Sequence, residues 1–377
     1  MFLTANRAGP EIAESRIPVA RPSLPSANAI LPWLSKIDAN RWYSNFGPLL
    51  QDFEARLAGR FARPTRVVTS VNATQALTLT LRALGIRAGT LCAMPAWTFV
   101  ASAHAVAEAG LTPWFLDVDP QTWMLDPERV RSDLKCAPGP VGAVLVVAPF
   151  GQMPDVTAWE QFQAESGLPV VIDAAAAFDQ ARDARIPLVV SLHATKVLGI
   201  GEGGFLATED GALADRVREL TTYGFNGDRN ARRQATNAKL SEYAAAIGHA
   251  ALDAWSEDRR RFQNTGQSLR LGLAPEPRIT FQTGWSLHWV TSVCMIRLPG
   301  PLALPVAEAL DQSGIDTRAW WGGGCHQTDA FRDCPRTDLT HTAILAQSSL
   351  GLPFAQDMPL QDVDRVCEVL KGVLKRL

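Results

Sequence analysis

One lysine and one aspartate give the first chemical clue. Lys196 lies in Ser191-Leu-His-Ala-Thr-Lys196, just beyond the apolar run Pro187-Leu-Val-Val-Ser191, and Asp173 closes a second apolar run, Val170-Val-Ile-Asp173. Open parallel sheets bind ligands outside the carboxyl ends of their strands, so both side chains are expected in one crevice. A lysine amine and a carboxylate held beside one cofactor match the needs of pyridoxal phosphate chemistry. The amine forms a Schiff base with the aldehyde and later shuttles a proton, while the carboxylate keeps the pyridine nitrogen protonated so that the ring accepts a carbanion's electrons. Either residue alone reads as an ordinary solvated side chain. Their matching strand-end positions beside a Gly-rich loop favour a site.

A phosphate cradle is also available. Asn72-Ala-Thr-Gln-Ala76 follows a short strand and opens an apolar-striped helix, so that backbone N–H groups and the Thr74 hydroxyl point at an anion. Ser191 offers another hydroxyl. Plain helix capping by Asn72 or Thr74 is the competing use of these residues. The glycines of Gly199-Ile-Gly-Glu-Gly-Gly204 fit G-x-G-x-x-G, but they precede the apolar Phe205-Leu-Ala-Thr208 and no helix starts before about Ala212. A dinucleotide fingerprint needs a strand before it and a helix after it, so that reading is rejected.

The elements that must hold these residues follow from the pattern around them. Helices are expected after Gly47-Pro48, over Ala76 to Leu84 and over Val100 to Ala109. Strands are expected at Val67-Val68, Leu91 to Met94, Ala143 to Ala148, Pro169 to Ile172 and Pro187 to Ser191. Strands apolar on both faces, alternating with helices, mean an α/β fold with a mostly parallel sheet between helical layers. Prolines 10, 18, 22, 25 and 32 predict an extended N-terminal arm. The last 120 or so residues change texture, with a polar helix near Ala250 to Arg270, strand-like pieces near Thr291 to Arg297 and the break Trp320-Trp-Gly-Gly-Gly324. A closing helix has Val363, Val366, Cys367, Leu370, Val373, Leu374 and Leu377 on its apolar side. The expected division is an arm and large cofactor-binding domain over 1–250 and a small C-terminal domain over 251–377.

The chain has 377 residues and a net charge of −2, with 20% charged residues, which argues against binding nucleic acid through phosphate contacts. No apolar run reaches membrane-span length. Six scattered cysteines without a CxxC pair read as reduced thiols, not as metal ligands. A cytoplasmic protein with no metal and no membrane partner is the expectation.

Ser-Leu-His-Ala-Thr-Lys-Val-Leu-Gly-Ile-Gly-Glu-Gly-Gly resembles the Schiff-base lysine signature of the DegT/DnrJ/EryC1/StrS aminotransferases. These are fold-type I pyridoxal phosphate enzymes that mostly aminate nucleotide-linked keto sugars. The resemblance runs along nearly the whole chain: Asn45-Phe-Gly-Pro48 with Glu54, Asn72 to Leu84, Pro95-Ala-Trp-Thr-Phe99, Phe150-Gly-Gln152, Asp173-Ala-Ala, Asn237 to Gly248, Arg318 to His326 and Leu352-Pro353. It implies a large domain with a mostly parallel seven-stranded sheet and a smaller α/β domain. Lys196 is then the Schiff-base lysine, Asp173 the pyridinium partner and Phe99 the aromatic lid. Ala73, Thr74 and Ser191 would hold the phosphate with Asn237 of the other subunit, making a homodimer with shared sites. The implied reaction moves an amino group from glutamate or glutamine to a keto group of a nucleotide-linked sugar.

Two positions depart from the family pattern. Ala73 replaces a glycine before the phosphate-binding threonine, and Ala176 stands where many members carry a Gln or His that hydrogen-bonds the cofactor's phenolic oxygen. His326, beside Trp320 and Trp321, reads either as a contact to the sugar or its diphosphate or as a packed loop histidine. Arg229, Arg232 and Arg233 read as substrate-phosphate ligands across a dimer interface or as a solvated run, and Trp97 as core. Rival functions are an epimerase or an enzyme of non-nucleotide ketones on the same scaffold, and a non-catalytic sensor. Lys196 counts against a dehydratase, whose family members carry histidine there.

Overall fold

The computed structural model describes residues 16–377. Its main sheet comprises β1 (Arg66–Ser70), β2 (Leu91–Pro95), β3 (Thr112–Leu116), β4 (Val141–Val147), β5 (Val170–Asp173), β6 (Leu188–Ser191) and β7 (Gly204–Thr208). They lie in the order β1-β7-β6-β5-β4-β2-β3, and only β7 runs antiparallel to its neighbours. The helices are α1 (Ala27–Asn40), α2 (Pro48–Ala58), α3 (Ala73–Ala83), α4 (Val100–Glu108), α5 (Pro127–Leu134), α6 (Val156–Ser166), α7 (Gly211–Leu220), α8 (Glu242–Leu273), α9 (Ala303–Gln312), α10 (Thr340–Ser348) and α11 (Leu360–Arg376). A second sheet of β8 (Thr280–Phe281), β9 (Cys294–Arg297) and β10 (Ser349–Leu352) is antiparallel, in the order β10-β9-β8.

Alternation along the strands sorts the core into two layers. Val68, Leu145, Val171, Val189 and Leu206 pack against α3, α4 and α7, while Val67, Val146, Ile172, Val190 and Ala207 face the opposite layer. Strands buried on both faces are what a sheet covered by helices on each side requires. The carboxyl ends of β1, β2, β4, β5 and β6 and the amino end of β7 share one edge, where Ser70, Pro95, Val147, Asp173, Ser191 and Gly204 lie.

Some expectations change. Residues 27–40 form α1 despite Pro32. The Ser26 side chain caps its start, and Trp33 stacks on His249 of α8 with centroids 4.1 Å apart, so tertiary packing offsets the hydrogen bond that the proline removes. The arm before residue 16 lies outside the described residues, while Ile17 and Val19 are buried, and Ile17 and Ala20 bridge to Ile315 and Phe354 in the C-terminal half. Strands β3 and β7 are additions to the expected set; in β3, Pro113 and bulky Trp114 obscure the pattern in five residues. Leu377 is 58% exposed because α11 ends before it. The boundary expected at residue 250 falls inside α8, a single helix of 32 residues.

Helix α8 also locks the opening motif. Both Glu242 carboxylate oxygens accept from the first turn of α2, from Leu49 N and Leu50 N at 2.9 Å each. Asn45 and Phe46 turn the chain through left-handed backbone, and a Cβ at Gly47 would lie 2.6 Å from the Glu242 carboxyl carbon. Glu242→Ala leaves two buried donors unmatched, and urea unfolding will show a loss of about 2 kcal/mol or more.

Candidate active site

Asp173 reaches the crevice as the last residue of β5, and its carboxylate is held from two sides. Ser102 of α4 donates its hydroxyl to Oδ2 at 2.7 Å, and Ala175 N donates to Oδ1 at 3.1 Å. Thr98 sits one turn before Ser102, with the two hydroxyl oxygens 2.9 Å apart. Burial pushes the Asp173 carboxyl up from its ordinary range, against the pull of Ser102, Ala175 and the Lys196 charge.

Lys196 lies in the connection between β6 and β7. That connection folds back on itself: Leu192 N donates to Gly203 O at 2.9 Å and Ala194 N to Gly201 O at 2.7 Å. The Gly-rich stretch is therefore the loop of an antiparallel hairpin, not a strand-to-helix turn. Close packing explains two of its glycines, since a Cβ at Gly199 would come within 2.8 Å of Ala194 O and one at Gly203 within 2.6 Å of Ile200 Cδ1. Lys196 is half-buried, and desolvation lowers its pKa from the ordinary lysine value while the Asp173 charge raises it in part. The structure thus brings together the two residues singled out for chemistry.

Opposite them, Asn72 caps α3 by accepting Gln75 N at 2.8 Å, which leaves Ala73 and Thr74 in the first turn with the Thr74 hydroxyl outside the cap. Gly204 makes this close approach possible, for a Cβ there would meet Ala73 N at 2.5 Å. Ser191 faces the same helix and accepts His193 N at 3.2 Å, keeping its own proton to donate. Phe99 caps α4 and is 51% exposed. Asn237 is exposed and accepts from Lys239 at 2.5 Å, in a segment tied to the α3 loop by Val71 N donating to Ala238 O at 3.0 Å.

The remaining candidates lie elsewhere. Trp320 packs against β10, where a Cβ on Gly351 would come 2.4 Å from its Nε1, and the Arg318 guanidinium covers its ring at 4.8 Å. Its neighbour Trp321 instead stacks on Phe150 at 3.9 Å and meets Trp97 edge-on at 5.4 Å, walling the crevice at the ends of β2 and β4. His326 lines a cavity of about 580 Å³ with Arg332, Arg336 and Asp338, to which neither Lys196 nor Asp173 contributes. Burial and the Arg336 charge hold its pKa below the ordinary value. Arg232 is exposed and pairs with Asp228 at 2.8 Å, and Arg233 pairs with Glu219 at 3.2 Å. Ser102 and the wall formed by Trp321 escape a reading of the sequence. The Thr98-to-Ser102 spacing of one helical turn is the available signal for the first.

This sheet with its C-terminal layer is the α/β fold of the pyridoxal phosphate-dependent aminotransferases. The crystal structure of a Bacillus cereus protein assigned as such an aminotransferase superposes with a TM-score of 0.89 at 29% identity, covering 94% of this chain and 100% of that one. The sequence profile of the DegT/DnrJ/EryC1/StrS aminotransferase family matches residues 26–371, and the chain belongs to that family. Protein Rv3402c of Mycobacterium tuberculosis is 29% identical over 93% of this chain and 88% of its own length. GDP-perosamine synthase of Caulobacter vibrioides is 27% identical over 88% and 92%. The crystal structure of DesI in the presence of its TDP-sugar product superposes with a TM-score of 0.86 at 32% identity, covering 96% of this chain and 93% of that one. No helix among the described residues is long and apolar enough to cross a membrane.

Proposed function

We propose that this protein uses pyridoxal 5'-phosphate to move an amino group from glutamate (or glutamine) to a keto group of a nucleotide-linked sugar. The observation that carries the reading is the Asp173 carboxylate, fixed by Ser102 and Ala175 at the sheet edge where the desolvated Lys196 sits. The donor set fits that cofactor. It combines an amine for the aldehyde, a buried carboxylate for the ring nitrogen and a helix start, opened by Gly204, for the phosphate.

When bound, pyridoxal phosphate supplies an aldehyde that takes up the amino group and a ring that accepts electrons from the adjacent carbon. The chain's own groups then have distinct tasks. Desolvation raises the share of Lys196 that is a free amine at neutral pH, so it would hold the cofactor through its aldehyde and, once a substrate amine has taken its place there, move a proton between the substrate carbon and C4′. Asp173 holds the proton on the ring nitrogen, and Ser102 and Ala175 keep its oxygens aimed. Ala73, Thr74 and Ser191 hold the phosphate, and Phe99 covers the ring. Trp97, Phe150 and Trp321 exclude water from one wall. Exposed Asn237, with Tyr43, Tyr223 and Tyr243 also about half exposed, supports a homodimer in which Asn237 completes the partner's phosphate site. His326, Trp320 and Arg232 are proposed for the nucleotide side of the substrate, in the cytoplasm, with the chain divided functionally near residue 250. The sugar reading draws on GDP-perosamine synthase and on DesI with its TDP-sugar product.

The test is the visible absorption of the purified protein before and after L-glutamate. Bleaching of the lysine-bound cofactor band to that of the pyridoxamine form is the expected result. A band that glutamate and glutamine both leave unchanged turns the reading toward an epimerase-like enzyme. No band after incubation with pyridoxal phosphate overturns it.

A further inference from the structure

A buried hydroxyl beside the phosphate cradle has no partner. Ser70 ends β1 at 1% exposure, and its Oγ makes no hydrogen bond. A buried hydroxyl left unmatched costs free energy, so its retention calls for an acceptor or donor supplied from outside the chain. Register shows where it points. Ser70 lies directly opposite Gly204 on β7, and Gly204 lies directly opposite Ser191 on β6. Residues opposed across a ladder project from the same face. At Gly204 that face is known, because a Cβ there would strike Ala73 N at 2.5 Å and Asn72 C at 2.7 Å. Val68, two residues before Ser70, packs in the layer that holds α3, whereas Thr69 points away and donates to Glu54 at 2.6 Å. Ser70 and Ser191 therefore flank a side-chain-free glycine beneath the first turn of α3, with strand axes about 10 Å apart.

We propose that the Ser70 hydroxyl is a further ligand of the cofactor phosphate, closing the cradle opposite Ser191. The inference rests on the pyridoxal phosphate reading above. Two hydroxyls on either side of a helix start give the anion donors from the sheet as well as from the α3 amides. Thr74 and Ser191 are legible as phosphate donors from sequence, whereas Ser70 belongs with them only through the strand register.

The experiment titrates apo wild type and apo Ser70→Ala with pyridoxal phosphate and, separately, with pyridoxal, following absorbance, with thermal unfolding of each apo form as the check on folding. The expected result is a Kd for pyridoxal phosphate weakened about 10- to 100-fold in Ser70→Ala, with the Kd for pyridoxal unchanged. Apo Ser70→Ala should melt no lower than wild type. Equal weakening of both ligands, or an unchanged Kd with a higher melting temperature, overturns the assignment and leaves a merely buried hydroxyl. Failure of wild type to bind pyridoxal phosphate, or to prefer it over pyridoxal, overturns the cofactor reading itself. Should Ser70→Ala not fold, the near-isosteric Ser70→Cys, a weak donor, must show the same ligand-selective loss.

Discussion

Lys196→Ala will fold, lose the visible band of bound pyridoxal phosphate and transfer amino groups at least about 10⁴-fold more slowly than wild type. The side chain it removes is the desolvated amine whose charge is felt by Asp173 at the sheet edge. Lys196→Arg will be as inactive, because a guanidinium keeps the positive charge and gives up no proton. The pair of variants thus separates charge from proton transfer. The pH dependence follows from the direction of the shift. Since desolvation lowers the pKa of the free amine, the rate at which the apo protein takes up pyridoxal phosphate as the lysine-bound form rises with pH and levels off below the ordinary lysine value of 10.5. In the apo protein the folded state releases this proton sooner than the unfolded chain does. The Lys196 contribution to stability is thus complete above 10.5 and falls as pH drops through the lowered folded pKa, a trend that Lys196→Ala will lack. Single-turnover transfer from glutamate, followed by absorbance, makes the comparison. A Lys196→Ala rate within tenfold of wild type places the chemistry elsewhere.

The parts of the site that sequence reveals are those carried by short, contiguous signals. Asp173 and Ser191 end unmistakable apolar strands, and Asn72 opens a striped helix, so their location at one sheet edge is legible in the residue pattern alone. Lys196 follows Ser191 closely enough to share that edge. The decoy glycines are also readable, because an apolar run, Phe205 to Thr208, follows them where a helix would have to start, and that run lies in β7. Residues that act across the sheet are different. Ser102 meets Asp173 from 71 positions away, and Ser70 faces Ser191 only because β7 lies between β1 and β6, an order that no local pattern encodes. Trp320 and Trp321 are adjacent and chemically identical, and only packing against Gly351 or Phe150 tells them apart. Helix α1 is hidden by Pro32, whose local cost is offset by the stack of Trp33 on His249, a contact that depends on α8.

Asp173→Asn will lower the donor half-reaction rate by roughly 10³-fold, a loss typical of removing one preorganised electrostatic group, and will leave the apo fold as stable as wild type or more so. The surroundings make this a clean removal of charge. An asparagine Oδ1 can still accept Ala175 N, and its Nδ2 can donate to the Ser102 hydroxyl, which has a lone pair and Thr98 as an alternative partner. Shape and hydrogen bonds survive while the carboxylate that would keep the ring nitrogen protonated does not. Stability and activity should therefore move independently. Because burial raises the Asp173 pKa, the folded apo protein holds this proton where the unfolded chain has lost it. Its contribution is full below 3.8 and lost as pH rises through the raised value. Asparagine removes that loss at neutral pH, and thermal unfolding of the two apo proteins across pH will display it. Ser102→Ala supplies the intermediate case. It keeps the charge but frees Oδ2, so its rate should fall by about tenfold, with the half-reaction's pH profile displaced toward higher pH as the carboxyl loses the bond that stabilises its ionised form. An Asp173→Asn enzyme that turns over at the wild-type rate would mean that the ring nitrogen needs no anionic partner here, and the strand-end aspartate would revert to a structural residue.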